Sequence, residues 1–493
     1  MDLQALYTAA QTRELDRTAI EDLGIPGIRL MSRAGRAAFE LLLELWPEPA
    51  RLHIFCGTGN NGGDGYILAS LAQAQRIPVT VYQLGDADKI GGDALKARNK
   101  ALADGVEVLP FAASLQLAEG VVVDAILGTG LSGDVRGPSR AAIQTINDGD
   151  LPVLAIDIPS GLCSDTGRVL GSAVVANCTI TFIGLKRGLL TGEAPSYVGG
   201  LNYTDLEVPM QAYEGVPADC FCLELKQQLS LLPVRLPHAH KGMFGHVLIV
   251  GGDVGMAGAA LMAAEAAARC GAGLVSAATR PEHVAAFISR RPEVMARGVS
   301  GGNELLPLLD KPNVIAVGPG LGTSPWSEQL LQRVSDTALP LVMDADALNL
   351  LGAGGIVQVR QRDNWILTPH PGEAARLLQV ATADIQADRF AAVQALQQRY
   401  GGVVVLKGAG SLVCGGAEIF LSPYGNPGMA SGGMGDVLSG VLAALLAQGL
   451  SPLQAACLGV CLHGHAAELA SADGAAGMLA TDLMPHLRSL LGD

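Results

Sequence analysis

The sequence predicts an α/β protein of two domains, each built on a largely parallel sheet. Short apolar runs such as "RLHIFCG", "IPVTVYQLG", "VEVLPF", "GVVVDAILG", "LPVLAIDIP" and "CTITFIGLK" alternate with Ala/Leu-rich segments. Runs of this kind, bounded by Gly and Pro, suit strands buried on both faces and joined by helical crossovers. The pattern stops near residue 210 and restarts with "GHVLIVGGD", followed by "NVIAVGPGLG", "PLVMDADAL", "NWILTPHPGE" and "GVVVLKGAG". With 49% hydrophobic and 16% charged residues among 493, the chain is well cored rather than disordered, and its length accommodates two large domains.

The elements follow in order. Residues 1–46 read as helices with a break at "GIPG" (24–27), and the first alternation then runs to about 210. The stretch "VPMQAYEGVPADCFCLELKQQLSLLPVRLPHAHKG" carries prolines and lacks a clear period, so it reads as a junction. The expected domains are therefore 1–215 and 235–493, with 216–234 between them. No convincing repeat relates the two halves.

Composition excludes several classes. A net charge of −14 with no basic run argues against a nucleic-acid surface, and an anionic substrate needs local help from helix ends, lysines or a metal. The opening "MDLQALYTAAQTRELDRTAI" lacks the apolar core of a leader, and the apolar stretch near 437–447 is too short to span a bilayer. The nine cysteines, including Cys220/Cys222 and Cys457/Cys461, have no partner pairs at metal-site spacing. Buried thiols in a reducing compartment, with the cytoplasm as the location, are expected.

Two glycine loops carry the chemistry. In "CGTGNNGGDGYILASLAQA", Gly57, Gly59 and Gly62 fit a dinucleotide fingerprint between strand and helix, a weak signal alone. Asn60, Asn61 and Asp64 add polar side chains where that fingerprint needs bare backbone, and Asp86 is no firm ribose-binding acid; a plain turn is the alternative. "VVVDAILGTGLSGDVRG" and "VLAIDIPSGL" each end a strand in Asp followed by Gly or Ser. In a parallel sheet Asp124, Asp157, Ser160 and the Asn60–Asp64 loop converge on one edge, offering oxygen ligands for a hard cation and a carboxylate able to move a proton. Either Asp alone would serve equally as a helix cap.

"GTGNNGGDGYILA", "DAILGTGL", "AIDIPSGL" and the opening "RELDRTAIEDLGIPGIRLMSRAG" resemble the N-terminal epimerase domain of the NAD(P)H-hydrate repair enzymes, over most of 1–210. The resemblance implies a Rossmann-like, three-layer α/β/α domain that interconverts R and S hydrates of NADH and NADPH. By it, Asn60, Asn61, Gly62, Gly63 and Asp64, with Gly128, Thr129, Gly130, Leu131, Ser132, Gly133 and Asp134, and Asp157, hold the hydrate. Asn61, Asp124 and Ser160 hold potassium. Asp157 is expected to transfer the proton, with Lys186 in "GLKRGLL" as its partner. Ser32-Arg33 departs from the family, which usually has an acid there.

The second loop, "GNPGMASGGMGDVLSGVLAALLAQG", sets Gly432, Gly433 and Gly435 beside Asp436 at the start of an apolar helix. Unsatisfied amides and the helix dipole make an anion hole there. A carboxylate beside such a hole suits a base that deprotonates a hydroxyl attacking phosphorus; an N-cap is the alternative. Lys407 and Ser411 in "VVVLKGAGSLVCG" are placed to meet a nucleotide, and His370 in "LTPHPGEAARLL" precedes an acid-started helix. "GGDVGMAGA", "GPGLG", "DADALNLL", "TPHPGE", "KGAGS" and "GNPGMASGGMGD", in that order, resemble the ribokinase-like dehydratase of the same family over roughly 235–490. The resemblance implies that Ala259, Gly320, His370 and Asp436 contact the hydrate. It also implies that Lys407, Gly408, Ala409, Gly410, Ser411 and Gly435 bind the nucleotide. The implied reaction is dehydration of the S hydrate by ADP with Mg²⁺, giving NAD(P)H, AMP and phosphate. A vitamin or sugar kinase fused to a dinucleotide-binding domain, a non-catalytic sensor domain, and a Rossmann dehydrogenase are the competing readings. No nucleic-acid or membrane partner is expected; a homo-oligomer is.

Overall fold

The computed structural model describes residues 3–357 and 361–492, so both outer limits of the expected domains, residues 1 and 493, lie outside the described residues. Two compact units emerge: one covers Ala5–Asp219, and the other begins at Cys220 and takes in Gln4.

The first unit holds seven strands: β1 (Leu52–Cys56), β2 (Val79–Gln83), β3 (Glu107–Pro110), β4 (Val121–Ala125), β5 (Val153–Ile156), β6 (Cys178–Phe182) and β7 (Gly200–Thr204). They lie in the order β3-β2-β1-β4-β5-β6-β7, and all pair in parallel. Every residue of β1 and β4 is buried, as their unbroken apolar runs require. One face, with Ile54, Val123 and Ile156, packs on helices Gly27–Leu45, Asn60–Ala74 and Gly92–Ala103. The other, with Phe55, Val122 and Ala155, packs with Ile143 and Ile146 of helix Gly137–Asn147. This is the expected three-layer domain. The opening region breaks at "GIPG" as expected, between the helical run Ala9–Arg17, continued by a wider π turn at Thr18–Asp22, and helix Gly27–Leu45, but it begins with a short strand at Gln4–Leu6 where a helix was expected.

In the second unit the strands are β8 (Cys220–Cys222), β9 (His246–Val250), β10 (Leu274–Thr279), β11 (Met295–Gly298), β12 (Val314–Val317), β13 (Leu341–Met343), β14 (Trp365–Leu367), β15 (Val403–Leu406), β16 (Ser411–Cys414) and β17 (Ile419–Ser422). Their order is β8-β17-β16-β15-β14-β13-β12-β9-β10-β11. From β9 to β15 all pairs are parallel, whereas β16 runs antiparallel to both neighbours. The strand–turn–strand read in "VVVLKGAGSLVCG" is therefore a hairpin. Part of the stretch read as a junction joins this unit, because β8 pairs with β17. Val247, Val314, Val342 and Val405 pack against helices Ala257–Arg269, Met434–Ala447 and Pro452–Ala470. Among the described residues, no helix is long and apolar enough to cross a membrane.

Strand order reverses between β1 and β4 in the first sheet and between β9 and β12 in the second. Connections from such neighbours leave in opposite directions and open a crevice at the strands' C-terminal ends. In the first unit the chain closes tightly there: a side chain at Gly57 would run into the carbonyl oxygen of Ile126. Gly57→Ala is expected to cost about 1–3 kcal/mol, because the backbone of one loop has to move. Denaturant unfolding followed on the first unit checks this; an unchanged midpoint contradicts it.

Candidate functional site

At the first switch point lies a cavity of about 800 Å³, lined by the loops after β1, β4, β5 and β6 and by the N-terminal helices. Of the residues singled out in the sequence, Asn60, Asn61, Asp64, Gly128, Thr129, Gly130, Leu131, Ser132, Asp157 and Lys186 line it. Gly62 and Gly63 sit buried in the first turn of helix Asn60–Ala74, while Gly133 and Asp134 are exposed and lie off the cavity wall. Asp86 caps a short 3-10 turn, accepting from the Asp88 amide at 3.1 Å.

Asp157 follows β5 with φ of 67°, a left-handed conformation that is costly for a residue with a Cβ and that concentrates at functional positions. Its partner Lys186 is 1% exposed. The ammonium donates to Asp157 Oδ1, to Thr181 Oγ1 at 2.9 Å and to the Phe182 carbonyl at 2.9 Å. All three of its hydrogens are thereby engaged. Lys186 thus fixes Asp157 and neutralises its charge.

Asp124 is fully buried, and its carboxylate accepts from the Ser160 amide at 2.7 Å, Ser160 Oγ at 2.6 Å and the Ile126 amide at 3.2 Å. Burial raises it to about 6, with the Ser160 and Ile126 hydrogen bonds opposing. The Leu127 amide donates to Ser160 Oγ at 2.8 Å, and a Cβ on the next residue, Gly128, would lie 3.3 Å from Asp157 Oδ2 and 3.4 Å from Asn61 Cβ. One short loop therefore joins both strand-end aspartates to Asn61. Asn61 is 8% exposed, and both polar atoms of its amide are buried without a hydrogen-bond partner. An orphaned amide oxygen near a buried carboxylate and a hydroxyl is an oxygen donor set that fits a weakly charged hard cation. Among the described residues no group of three or more His, Cys, Asp or Glu is arranged to hold a metal ion. Ser32 and Arg33 have structural tasks: Ser32 Oγ donates to the Ile28 carbonyl at 2.6 Å, and Arg33 pairs with Glu207 at 2.7 Å.

In the second unit Asp436 occupies the third position of helix Met434–Ala447, whose N-cap is Gly433. Its carboxylate makes no hydrogen bond to the described residues, so capping does not explain it. Lys407, at the end of β15, donates to Asp344 Oδ1 at 2.6 Å and lies 3.7 Å from Glu373 Oε2. Asp344 also accepts from Thr368 Oγ1 at 2.9 Å and Ser439 Oγ at 3.1 Å. A Cβ on Gly435 would stand 3.0 Å from Asp344 Oδ2 and 3.2 Å from Lys407 Nζ. Lys407, Gly435 and Asp436 thus come together around Asp344. His370 caps helix Pro371–Leu378, its Nδ1 accepting from the Gly372 amide at 2.9 Å while its own amide donates to Glu373 at 2.7 Å. Its other ring nitrogen lies 3.4 Å from Glu373 Oε1. Ala259 and Gly320 meet at the β9/β12 switch point, where a Cβ on Gly320 would be 3.0 Å from Ala259 Cβ.

Two groups here were missed in the sequence. Asp344 stands at the end of β13 in "VMDADAL", the same strand-end signal that singled out Asp124 and Asp157. Arg389, 1% exposed, donates to the carbonyls of Leu406 (3.3 Å), Lys407 (3.3 Å) and Gly410 (3.4 Å), holding the Gly408–Gly410 turn and Ser411 in shape. Nothing in its helical segment distinguishes it from a solvated arginine.

Electrostatics separate the two aspartates. The charge and hydrogen bonds of Lys407, with those of Thr368 and the Ala345 amide, outweigh burial and hold Asp344 below the usual carboxylate range. Burial, then the charges of Asp344 and Asp346, push Asp436 up to about 7 against the pull of Lys407. An Asp with a raised folded-state pKa binds a proton in the native chain that the unfolded chain has released, so it lowers stability as pH rises from about 4 to about 7. Asp436→Asn is therefore expected to stabilise the second unit at neutral pH. The gain should grow between those values, level off above them and vanish in acid, as thermal unfolding across pH can check.

The family comparisons agree with both units. A profile described as NAD(P)H-hydrate dehydratase matches residues 247–488, and one described as YjeF-related protein N-terminus matches residues 27–188. The bifunctional NAD(P)H-hydrate repair enzyme of Coxiella burnetii is 49% identical, over 99% of this chain and 100% of its own. That of Escherichia coli K12 is 42% identical over 99% and 94%. The crystal structure of an ADP/ATP-dependent NAD(P)H-hydrate dehydratase from Bacillus subtilis, co-crystallised with ATP and Mg²⁺, is 29% identical. It superposes with a TM-score of 0.50 over 55% of this chain and 96% of its own. With both units and nearly the full length matched, the chain belongs to the family of bifunctional NAD(P)H-hydrate repair enzymes.

Proposed function

We propose that this chain repairs hydrated NADH and NADPH at two sites. The first unit interconverts the R and S hydrates, and the second dehydrates the S form with ADP to give NAD(P)H, AMP and phosphate. The observation that carries the reading is the Asp436 carboxylate. It lies partly buried with no hydrogen-bond partner among the described residues, and it carries a pKa near 7 next to glycine amides and Lys407. The full-length relatives support it, and the Bacillus subtilis dehydratase, described as ADP/ATP-dependent, supports nucleotide use.

In the dehydratase, Asp436 takes the proton of the C6 hydroxyl, whose oxygen attacks the β-phosphorus of ADP while the bond to the α-phosphate oxygen breaks and AMP departs. The amides at Met434–Gly435 and the Lys407 ammonium receive the charge that develops on phosphorus. The ring nitrogen pair then expels phosphate from C6, and loss of a proton from C5 restores the dihydropyridine. Lys407, Gly408, Ala409, Gly410 and Ser411 hold the nucleotide on the turn braced by Arg389; Ala259, Gly320 and His370 hold the hydrate. Mg²⁺, bound mainly through the nucleotide's phosphates, would supply charge neutralisation. In the epimerase, Asp157, oriented by Lys186, moves a proton to or from the oxygen that leaves or joins C6, and Asn61, Asp124 and Ser160 would hold potassium as a positioning ion. Nine free cysteines support a reducing compartment, so the cytoplasm is the proposed location. A ribokinase-like hydroxyl kinase is the second reading, since the Lys407–Asp344–Asp436 set would serve a sugar or vitamin equally.

Recovery of the near-ultraviolet absorbance of reduced nicotinamide, which the hydrates lack, tests the proposal. Pure S hydrate with Mg²⁺ and ADP should recover it, and R hydrate should follow more slowly. Asp436→Ala should lower S-hydrate turnover by about 100-fold or more, and Asp157→Ala should do the same for R while sparing S. Because Asp436 works deprotonated, kcat/KM for dehydration should fall as pH drops below about 7. If nothing recovers with any nucleotide, the kinase reading takes over.

A further inference from the structure

Two carboxylates in the first cavity have no part in the proton transfer assigned to Asp157. Asp64 is the fifth residue of helix Asn60–Ala74 and Asp16 lies near the end of helix Ala9–Arg17. Both line the cavity, and neither side chain makes a hydrogen bond to the described residues. The orphaned amide of Asn61 lines it too, so the cavity contains several polar groups that only a ligand or solvent can satisfy. Arg13, Asp93, Asp157 and Lys186 complete its charged lining.

Asp16 is firmly located. Its helix is closed by a capping box between Thr8 and Gln11, and the Ala9 amide donates to Asp165 at 2.6 Å. Just before it, the Tyr7 amide donates to the Leu185 carbonyl at 2.8 Å and the Arg187 amide to the Tyr7 carbonyl at 3.0 Å, bracketing Lys186. The backbone thus ties the helix carrying Asp16 to the strand end carrying the lysine that orients Asp157. Burial, with the Asp157 charge adding and Lys186 opposing, raises the Asp16 carboxyl to about 6, so it exchanges a proton closer to neutrality than an ordinary aspartate does.

We propose that Asp16 is a second catalytic residue of the epimerase, serving C6 from the helical wall of the cavity while Asp157 serves it from the strand wall. This rests on the repair reading. Inversion at C6 requires the C–O bond to break on one face and re-form on the other, and carboxylates on two elements of the cavity wall, Asp16 on a helix and Asp157 at a strand end, can each serve one of those events. Protonated Asp16 gives its proton to the C6 hydroxyl; the C6–O bond breaks, the N1 pair forms an N1=C6 bond, and water leaves. A second water adds to the opposite face, the N1=C6 pair returns to nitrogen, and the excess proton passes to Asp157. One water leaves, one enters, and no oxidation state changes. The proton returns from Asp157 to Asp16 through solvent, and the reverse reaction uses the same groups in exchanged roles.

The test uses the full chain and separates two failures. With R hydrate, Asp16→Asn should lower kcat by about 100-fold or more with KM within about threefold, abolish the pH-profile limb near 6, and be partly rescued by Asp16→Glu. A kcat within about threefold of the parent, a limb that persists in Asp16→Asn, or a loss confined to KM overturns the proposal. S-hydrate turnover by the parent chain, measured alongside, reports on the repair reading. If the parent acts on neither hydrate, that reading fails. If it acts on both and Asp16→Asn matches it on R, only the role of Asp16 fails.

Discussion

Both candidate sites depend on the reversal of strand order within a parallel sheet. At β1/β4 and at β9/β12 the crossovers leave in opposite directions, and the chain then has to close so tightly that bare backbone alone fits. Gly57 meets the Ile126 carbonyl in the first unit, and Gly251 would meet the Pro319 carbonyl in the second. The crevice that results exposes amides and strand-end carboxylates on a rigid floor.

Within that geometry each unit applies the same electrostatic device differently. A lysine at the end of a strand pairs with one aspartate, leaving another carboxylate exposed to burial and to its neighbours' charge. In the second unit Lys407 satisfies Asp344, and Asp436 is the group left raised. In the first, Lys186 commits its donors to Asp157, Thr181 and Phe182, and Asp16 and Asp64, which line the same cavity without a hydrogen-bond partner among the described residues, are raised. Carboxylates held off their ordinary pKa by position rather than by a bonded partner are well suited to moving protons.

Much of this was legible in the sequence because the governing rules are local. Unbroken apolar runs gave buried parallel strands, and an Asp following such a run marked the sheet edge, which correctly placed Asp124 and Asp157 beside the Asn61 loop. Asp344 obeys that same rule, standing directly after the apolar run of β13. Asp16 and Arg389 had no local mark: each is a charged residue on a helix, and only the fold brings one to a cavity and the other beneath a turn. The early start of the second unit, at Cys220 rather than 235, has no local mark for a similar reason, since a three-residue strand such as β8 is defined by its partner β17 and not by its own period.

The central claim is that burial and neighbouring charge hold Asp436 ready as a base, and its carboxyl titration in the free protein tests this most directly. Carbon-13 NMR of labelled aspartate, assigned by comparison with Asp436→Asn, should show a midpoint near 7. A midpoint near 4, the ordinary value for an exposed aspartate, would contradict the account.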